Sequence, residues 1–475
     1  MSAKPARRKL GPWMATALVV GNMIGSGVFL LPSTLAEYGP ISLVAWGFTA
    51  AGAILLALVF ARLARAYPRT GGPYAYARRA FGDFVGFQTA WGYWIAVWAG
   101  NAAIAVAFVG YLAHFWPALR DDRILAAGVG LATIWLLTAV NAYGVRGGGA
   151  VQVVTTVVKL VPLLLVAVVG LFFVEAGNYG EFNASGGSAF SAVTAAAALT
   201  LWSFIGLESA TVPAEDVEDP ERTIPRATVA GTAVTALVYI LGTVAVLGLV
   251  PAAALATSTA PFADAAGAAF GGWAADLVAA GAAISAFGAL NGWILLQGQI
   301  PFAAARDGLF PRVFTRTGRG GAPVVGLAVS SVLVTGLMLM NYNAALVDQF
   351  TFIILLATLT TVIPYSYAAV AELVLLATDR AAFSGGRLAR DAVIALLAFG
   401  YSAWAIAGAG YEVVYKGTLL ILAGMPVYAW LKYRAKGVHD QEVDAEIETA
   451  VEAAELYGPP PPGRPATPEP PAHAA

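Results

Sequence analysis

Charge-free, apolar blocks of about 20 residues recur along this chain, separated by short polar stretches. Inside a bilayer a single segment satisfies all its backbone groups only as a helix. The blocks predict twelve helices, over residues 11–38, 40–61, 84–115, 124–145, 150–174, 190–212, 227–250, 273–302, 323–342, 349–377, 391–410 and 417–433. The expected fold class is an all-α integral membrane protein. Residues 1–10 precede this 11–433 domain as a basic segment, and 434–475 follow it as a tail.

Two of the blocks contain residues that weaken a helix. In "GNMIGSGVFLLP", Gly21 to Pro32, three glycines fall within seven residues, and each interior Gly costs up to about 1 kcal/mol relative to Ala. Non-helical backbone at membrane depth is tolerated only where it is buried in protein or lines a watery cavity. Unwinding at Ile24-Gly25-Ser26-Gly27 would free amide N–H groups at the start of one half-helix, which suit a carboxylate. It would also free carbonyls at the end of the other, which suit an ammonium. One break thus offers partners for an α-amino acid without a charged side chain. Close packing through small residues explains the same glycines. A second cluster, "WSFIGLESATVP" from Trp202 to Pro213, repeats the Ile-Gly step at Ile205-Gly206 and favours the first reading. Paired breaks in blocks one and six imply two five-helix repeats of inverted topology with a site between them.

Ionisable groups within spans are costly and mark function by default. Lys159 stands about ten residues into its block and Glu208 in the apolar run of the sixth. Lys159 could replace a bound sodium ion or release a proton, unless it merely snorkels to the interface. Glu208 could gate, accept a proton, or be a satisfied structural carboxylate. Trp202 adjoins the second break. Trp293 lies mid-block among small residues in "GALNGWILLQGQ", where an indole face can bind a cation with about 2 kcal/mol when desolvated. Block three adds Tyr93 and Asn101.

Composition agrees with the block pattern. The chain is 59% hydrophobic and 12% charged with mean hydropathy +0.73, against about 25% charged in soluble domains. It has no cysteine, so disulfides and thiolate metal sites are excluded. Its three histidines, His114, His439 and His473, are far apart, so neither a metal nor another cofactor is expected. No nucleophile–base pair stands at a usable spacing, so an enzyme is not expected. Nor does nucleic acid enter as a partner. The first block is too long for a secretory signal and lacks a clear small-residue cleavage site. With both termini in the cytoplasm, 23 of the 27 Lys and Arg fall on that side; only Arg120, Arg123 and Lys416 fall outside, and Lys159 lies within a span. The tail is acidic over "HDQEVDAEIETAVEAAELY" and then Pro-rich, and is expected to be solvated and disordered.

"GNMIGSGVFLLP", "GGPYAYARRAFG", "GYWIAVWAGN", "TLWSFIGLESA", "DPERTIPRAT", "NGWILLQGQ", "DGLFP" and "IPYSY" together resemble the amino acid–polyamine–organocation transporters, and among them the bacterial arginine/agmatine antiporters. The resemblance covers nearly everything before the tail. It implies a 5+5 inverted-repeat core, like that of the leucine transporter, plus two further helices. It also implies alternating access in a multi-pass inner-membrane protein, often a homodimer, whose partners are small amino acids and amines in a lipid bilayer. The substrate carboxylate would meet Ser26 and the Gly27 amide, and its ammonium the carbonyls of Met23, Trp202 and Ile205. Trp293 would stack on the side chain, in a pocket that includes Ala96, and Asn101 would bond its far end. Trp202 would close the outer side; Tyr93, Glu208 and Tyr365 would form the inner barrier. Where the antiporters carry serine, cysteine and methionine, this chain has Ala357, Val97 and Ile104, so its distal pocket is less polar. Lys159 is a further departure, shared in type with sodium-independent members that have a Lys on helix five.

Two functions follow as expectations. The first is sodium-independent exchange of a basic amino acid, arginine, for its decarboxylated amine, agmatine. The alternative is proton-coupled symport of neutral or cationic amino acids through Lys159. A permease-like receptor signalling through the tail is a third class, and the short low-complexity tail argues against it.

Overall fold

A computed structural model describes residues 10–434 apart from 70, 144–159, 213, 215–216, 319 and 384–387. Lys159, the basic segment 1–9 and the tail after 434 therefore lie outside the described residues. The chain divides into two units, Met1–Gly424 and Met425–Ala475. Of the second only 425–434 are described, and they are helical.

Among the described residues ten helices are long and apolar enough to cross a membrane. The first crossing is split into α1 (Pro12–Met23) and α2 (Ser26–Ala36). Then come α3 (Ile41–Ala66), a short α4 (Pro73–Phe81), α5 (Asp83–Leu112) and α6 (Arg123–Tyr143). The described part of block five is the shorter apolar helix α7, Leu160–Phe173, whose last turns pass from α through π to 3-10 geometry. Block six gives α8 (Ala189–Leu201). Next are α9 (Pro220–Leu249), α10 (Pro261–Phe270), α11 (Gly272–Arg306), α12 (Val324–Asn341), α13 (Leu346–Thr378), α14 (Leu388–Gly408) and α15 (Tyr411–Leu422). A candidate crossing from Tyr411 to Arg434 ends the series.

Every one of the twelve blocks contains helix among its described residues, and the last starts earlier than expected, at Tyr411. Block seven starts earlier than hydropathy indicates, at Pro220, because the charged "PERTIPR" stretch is helical too; a Pro at the first helical position suits that start. Block six stops being helical at Leu201. One 3-10 turn follows (Trp202–Phe204), and then hydrogen-bonded turns run through residue 212.

The repeat has a visible sequence signature. α4 reads "PYAYARRAF" and α10 "PFADAAGAAF", each beginning Pro-aromatic-Ala and ending Ala-Phe. Each is followed by one glycine, Gly82 (φ 83°, ψ −173°) or Gly271 (φ 89°, ψ 176°), that turns the chain into the next long helix. Only glycine adopts that conformation readily. The second copy of the motif comes after five crossings, an odd number, so its helices run opposite to the first set.

Buried aromatics and hydroxyls fix the broken sixth span against this scaffold. Trp46 and Tyr239 pack on Phe204. The Tyr239 hydroxyl donates to the Ser203 carbonyl at 3.0 Å, and the hydroxyls of Thr49 and Thr200 are 2.7 Å apart.

Candidate substrate site

The first span breaks because Ile24 (ψ 84°) and Gly25 (φ −119°, ψ −145°) leave helical geometry between α1 and α2. The N-cap of α2, Gly25, has no side chain to offer, so the first N–H groups keep the partial positive charge of a helix N-terminus. The sixth span breaks at Ile205 (ψ 128°) and Gly206 (φ 108°). The two breaks touch. A Cβ added to Gly206 would lie 3.2 Å from the carbonyl carbon and Cβ of Asn22, and the Asn22 amide donates to the Ser209 hydroxyl at 2.9 Å.

Between the breaks lies a cavity of about 30 Å³. Its wall includes Met23, Gly25 and Gly27 from the first break, Trp202, Ser203 and Ile205 from the second, and Trp293 from α11. Along α5 it runs from Tyr93 through Ala96, Val97 and Gly100 to Ile104, about 16 Å at 1.5 Å per residue. No residue of this wall carries a formal charge. A single water needs roughly 10–15 Å³ of such space, so the cavity is closed to anything as large as an amino acid.

Each end of the α5 stretch is shut by a different device. Near Gly100, the Trp202 indole lies between α2 and α5. A Cβ on Gly27 would approach its Cδ1 and Nε1 to 2.7 Å, and one on Gly100 its Cη2 to 2.8 Å. Glycine at both positions is what lets the ring in. At the other end, the Tyr93 hydroxyl donates to Glu208 Oε1 at 2.6 Å, the Tyr365 hydroxyl donates to Oε2, and the Gly206 N–H donates to Oε2 at 3.1 Å. Three donors from α5, α13 and the second break thus converge on one fully buried carboxylate.

Met23, Gly27, Ala96, Val97, Trp202, Ile205, Trp293 and Tyr93 are brought to the cavity, and Glu208 and Tyr365 to its floor. Ser26 opens α2. The carbonyls of Met23 and Trp202 each already accept one backbone bond, from Gly25 at 2.8 Å and Ile205 at 3.2 Å, so one acceptor direction remains on each. Asn101 and Ala357 are buried outside the wall. Asn101 donates its amide to Gln297 Oε1 at 2.7 Å, while its own carbonyl oxygen has no partner. Gln297 is held in turn by Ser331 at 2.9 Å. Thr361, one turn after Ala357, takes the place at the wall and donates to the Ala357 carbonyl at 2.8 Å. Sequence reasoning missed Asn22, Ser203, Thr361 and Gln297. Ser203 follows Trp202 directly, and its buried hydroxyl has no partner. No cluster of metal-ligating residues occurs among the described residues, and His114 is spent on Asp276 at 2.8 Å.

Multiple apolar spans, two of them interrupted around an uncharged internal cavity, define a polytopic membrane protein. The sequence profile of the amino acid permease family matches residues 10–421, and the chain belongs to that family. It is similar to a cadaverine/lysine antiporter of Escherichia coli (strain K12), with 38% identity over 76% of this chain and 83% of the relative. It is similar also to a putative arginine/ornithine antiporter of Bacillus subtilis (strain 168), 34% identical over 89% and 97% of the two chains. A putrescine transporter of Haemophilus influenzae is 33% identical over 91% and 99%.

Proposed function

We propose that this protein is an antiporter that exchanges a basic amino acid for its decarboxylated amine by alternating access. The observation that carries the reading is the cavity wall: two interrupted spans, two indoles and no formal charge. Peptide dipoles at the breaks meet the α-carboxylate and α-ammonium, and an indole face meets the cationic side chain. An amine lacking the carboxylate keeps the second contact and forgoes the first, so both members of a pair are accommodated. The relatives named for lysine and cadaverine, arginine and ornithine, or putrescine support the same substrate class.

Within that class, arginine and agmatine are the pair the sequence resemblance favours. Lysine and cadaverine are a second reading, supported by the distal residues. On the wall Val97 and Ile104 offer no side-chain acceptor, which leaves few: the hydroxyls of Ser203 and Thr361 and, behind the wall, the unpartnered Asn101 carbonyl. A guanidinium brings five N–H donors and an ammonium three, and each donor left unpaired in a buried site costs about 1–3 kcal/mol. In operation, the Tyr93–Glu208–Tyr365 contact is the cytoplasmic barrier and Trp202 the outer one, in the orientation set by the basic residues.

The test is uptake of labelled arginine or lysine into proteoliposomes preloaded with agmatine or cadaverine. Uptake should require an internal amine, and the ratio of the two rates selects the pair. Absence of exchange with every basic substrate would overturn the proposal. Equal uptake into empty vesicles under an inward proton gradient would transfer it to the symport that Lys159 suggests.

A further inference from the structure

Away from the cavity, four arginines line one groove of about 500 Å³: Arg62 and Arg65 on α3, Arg226 on α9 and Arg390 on α14. Two of them are neutralised. Arg62 pairs with Glu372, with Nη2 at 2.8 Å from Oε2, and lies 3.9 Å from Asp391; Arg390 binds the same Asp391 at 3.0 Å. Both carboxylates are buried. Arg65 donates only to the Glu221 main-chain oxygen, at 3.3 Å, and Arg226 has no acidic partner among the described residues. Among the described residues the groove therefore holds two positive charges without an acidic partner.

The rest of its wall is apolar, with Leu58 on one side and Val229, Ala230 and Ala233 on the other. The apolar surface continues along the same helices. On α9, Arg226, Ala230, Ala233, Val234 and Leu237 follow helical spacing, and Val234 and Leu237 are 53% and 59% exposed. On α14, Val393 and Leu397 are likewise exposed. From Arg226 to Leu237 is about 16 Å along the axis, half of a hydrocarbon core roughly 30 Å thick. That is the span of one acyl chain in one leaflet.

We infer that this groove is a binding site for an anionic phospholipid of the leaflet on the Arg226 side, its phosphate held by Arg65 and Arg226 and one acyl chain lying along α9. Arginine forks match phosphate oxygens bidentately, and basic pockets between membrane helices suit anionic headgroups. Arg62 and Arg390 shape the pocket and stay with their carboxylates. A water-soluble anion would use the charge and leave the aligned apolar stripe without a role, so the lipid accounts for both halves of the groove.

Native mass spectrometry of the purified full chain, offered phosphatidylglycerol or phosphatidylcholine of identical acyl chains, tests the site. Phosphatidylglycerol should be retained preferentially. Arg65→Ala with Arg226→Ala should cut that retention about tenfold. Arg226→Gln alone, at an exposed position, should give a partial loss and does not depend on the yield of the double variant. Arg312→Ala with Arg316→Ala, removing two arginines elsewhere, should leave retention unchanged. Equal retention of the two lipids, full retention by the double variant, or an equal loss in the Arg312 and Arg316 control would overturn the inference. Displacement of phosphatidylglycerol by millimolar inorganic phosphate or glycerol phosphate would reduce the groove to an anion site and overturn its lipid part.

Discussion

Replacing Glu208 by alanine takes the acceptor away from three buried donors at once: the Tyr93 and Tyr365 hydroxyls and the Gly206 amide. A buried donor left unpaired costs about 1–3 kcal/mol. The hydroxyls can rotate and water can enter the vacated space, so the lower end applies, about 3 kcal/mol in all. That penalty falls on the conformation in which α5, α13 and the second break converge, and not on one in which they are apart. At 1.4 kcal/mol per tenfold, the equilibrium shifts about 100-fold toward opening on the Tyr93 side. The chain has no cysteine, so Ala96→Cys in the cavity wall is a clean reporter. Its labelling by a membrane-impermeant maleimide applied from the face on the Tyr93 side should rise by about that factor in the Glu208→Ala background. Glu208→Gln keeps one carbonyl acceptor and places its NH₂ against a hydroxyl that can accept, so its rise should be tenfold or less. Glu208→Ala should also remove or shift the pH response of transport while substrate binding persists. Equal labelling with and without the carboxylate, in protein that still binds substrate, would refute the barrier reasoning; an unchanged pH profile would remove Glu208 from proton sensing.

Trp293→Ala should weaken basic-substrate affinity about 30-fold, the equivalent of a 2 kcal/mol cation–π contact, and Trp293→Phe much less; equal losses in a binding assay would exclude stacking. Gly206→Ala forces a side chain into φ 108° and brings a Cβ within 3.2 Å of Asn22, so thermal unfolding should register a loss of about 1–3 kcal/mol. By contrast Gly288→Ala, inside α11 with nothing within 4 Å of the added atom, should gain up to about 1 kcal/mol. Outside the membrane, the Tyr67 hydroxyl and then Arg79 hold the Asp379 carboxyl below its usual range. A carboxylate depressed in the folded state stabilises above its unfolded value of about 3.9 and loses that contribution as pH falls through the folded one. Melting temperatures of wild type and Asp379→Asn should therefore differ near neutral pH and converge below about pH 4.

Much of the architecture was legible in the residues. Apolar blocks specify helices at membrane depth because no other local structure satisfies the backbone there. Glycines at Gly25 and Gly206 and the acid at Glu208 were conspicuous because each is costly in such a block. The repeat was also legible, in "PYAYARRAF" and "PFADAAGAAF", but only once the two were set side by side. Hydropathy could not show that block six ends as helix at Leu201, since residues 202–212 are as apolar as a helix requires. Their turns are held by Asn22, Tyr93, Tyr239 and Tyr365, which are remote in sequence.

What the sequence determined by itself is therefore the set of spans, the positions of the two breaks and the types of side chain near them, because all three rest on local backbone cost in a low-dielectric medium. What only the tertiary structure decided is partnership. Trp202 lies between Gly27 and Gly100, Asn101 turns to Gln297 behind the wall, Thr361 lines the cavity where Ala357 was expected, and four arginines from three helices meet in one groove. Such pairings depend on which helix faces cross and at what height, and no periodicity within a single span encodes that.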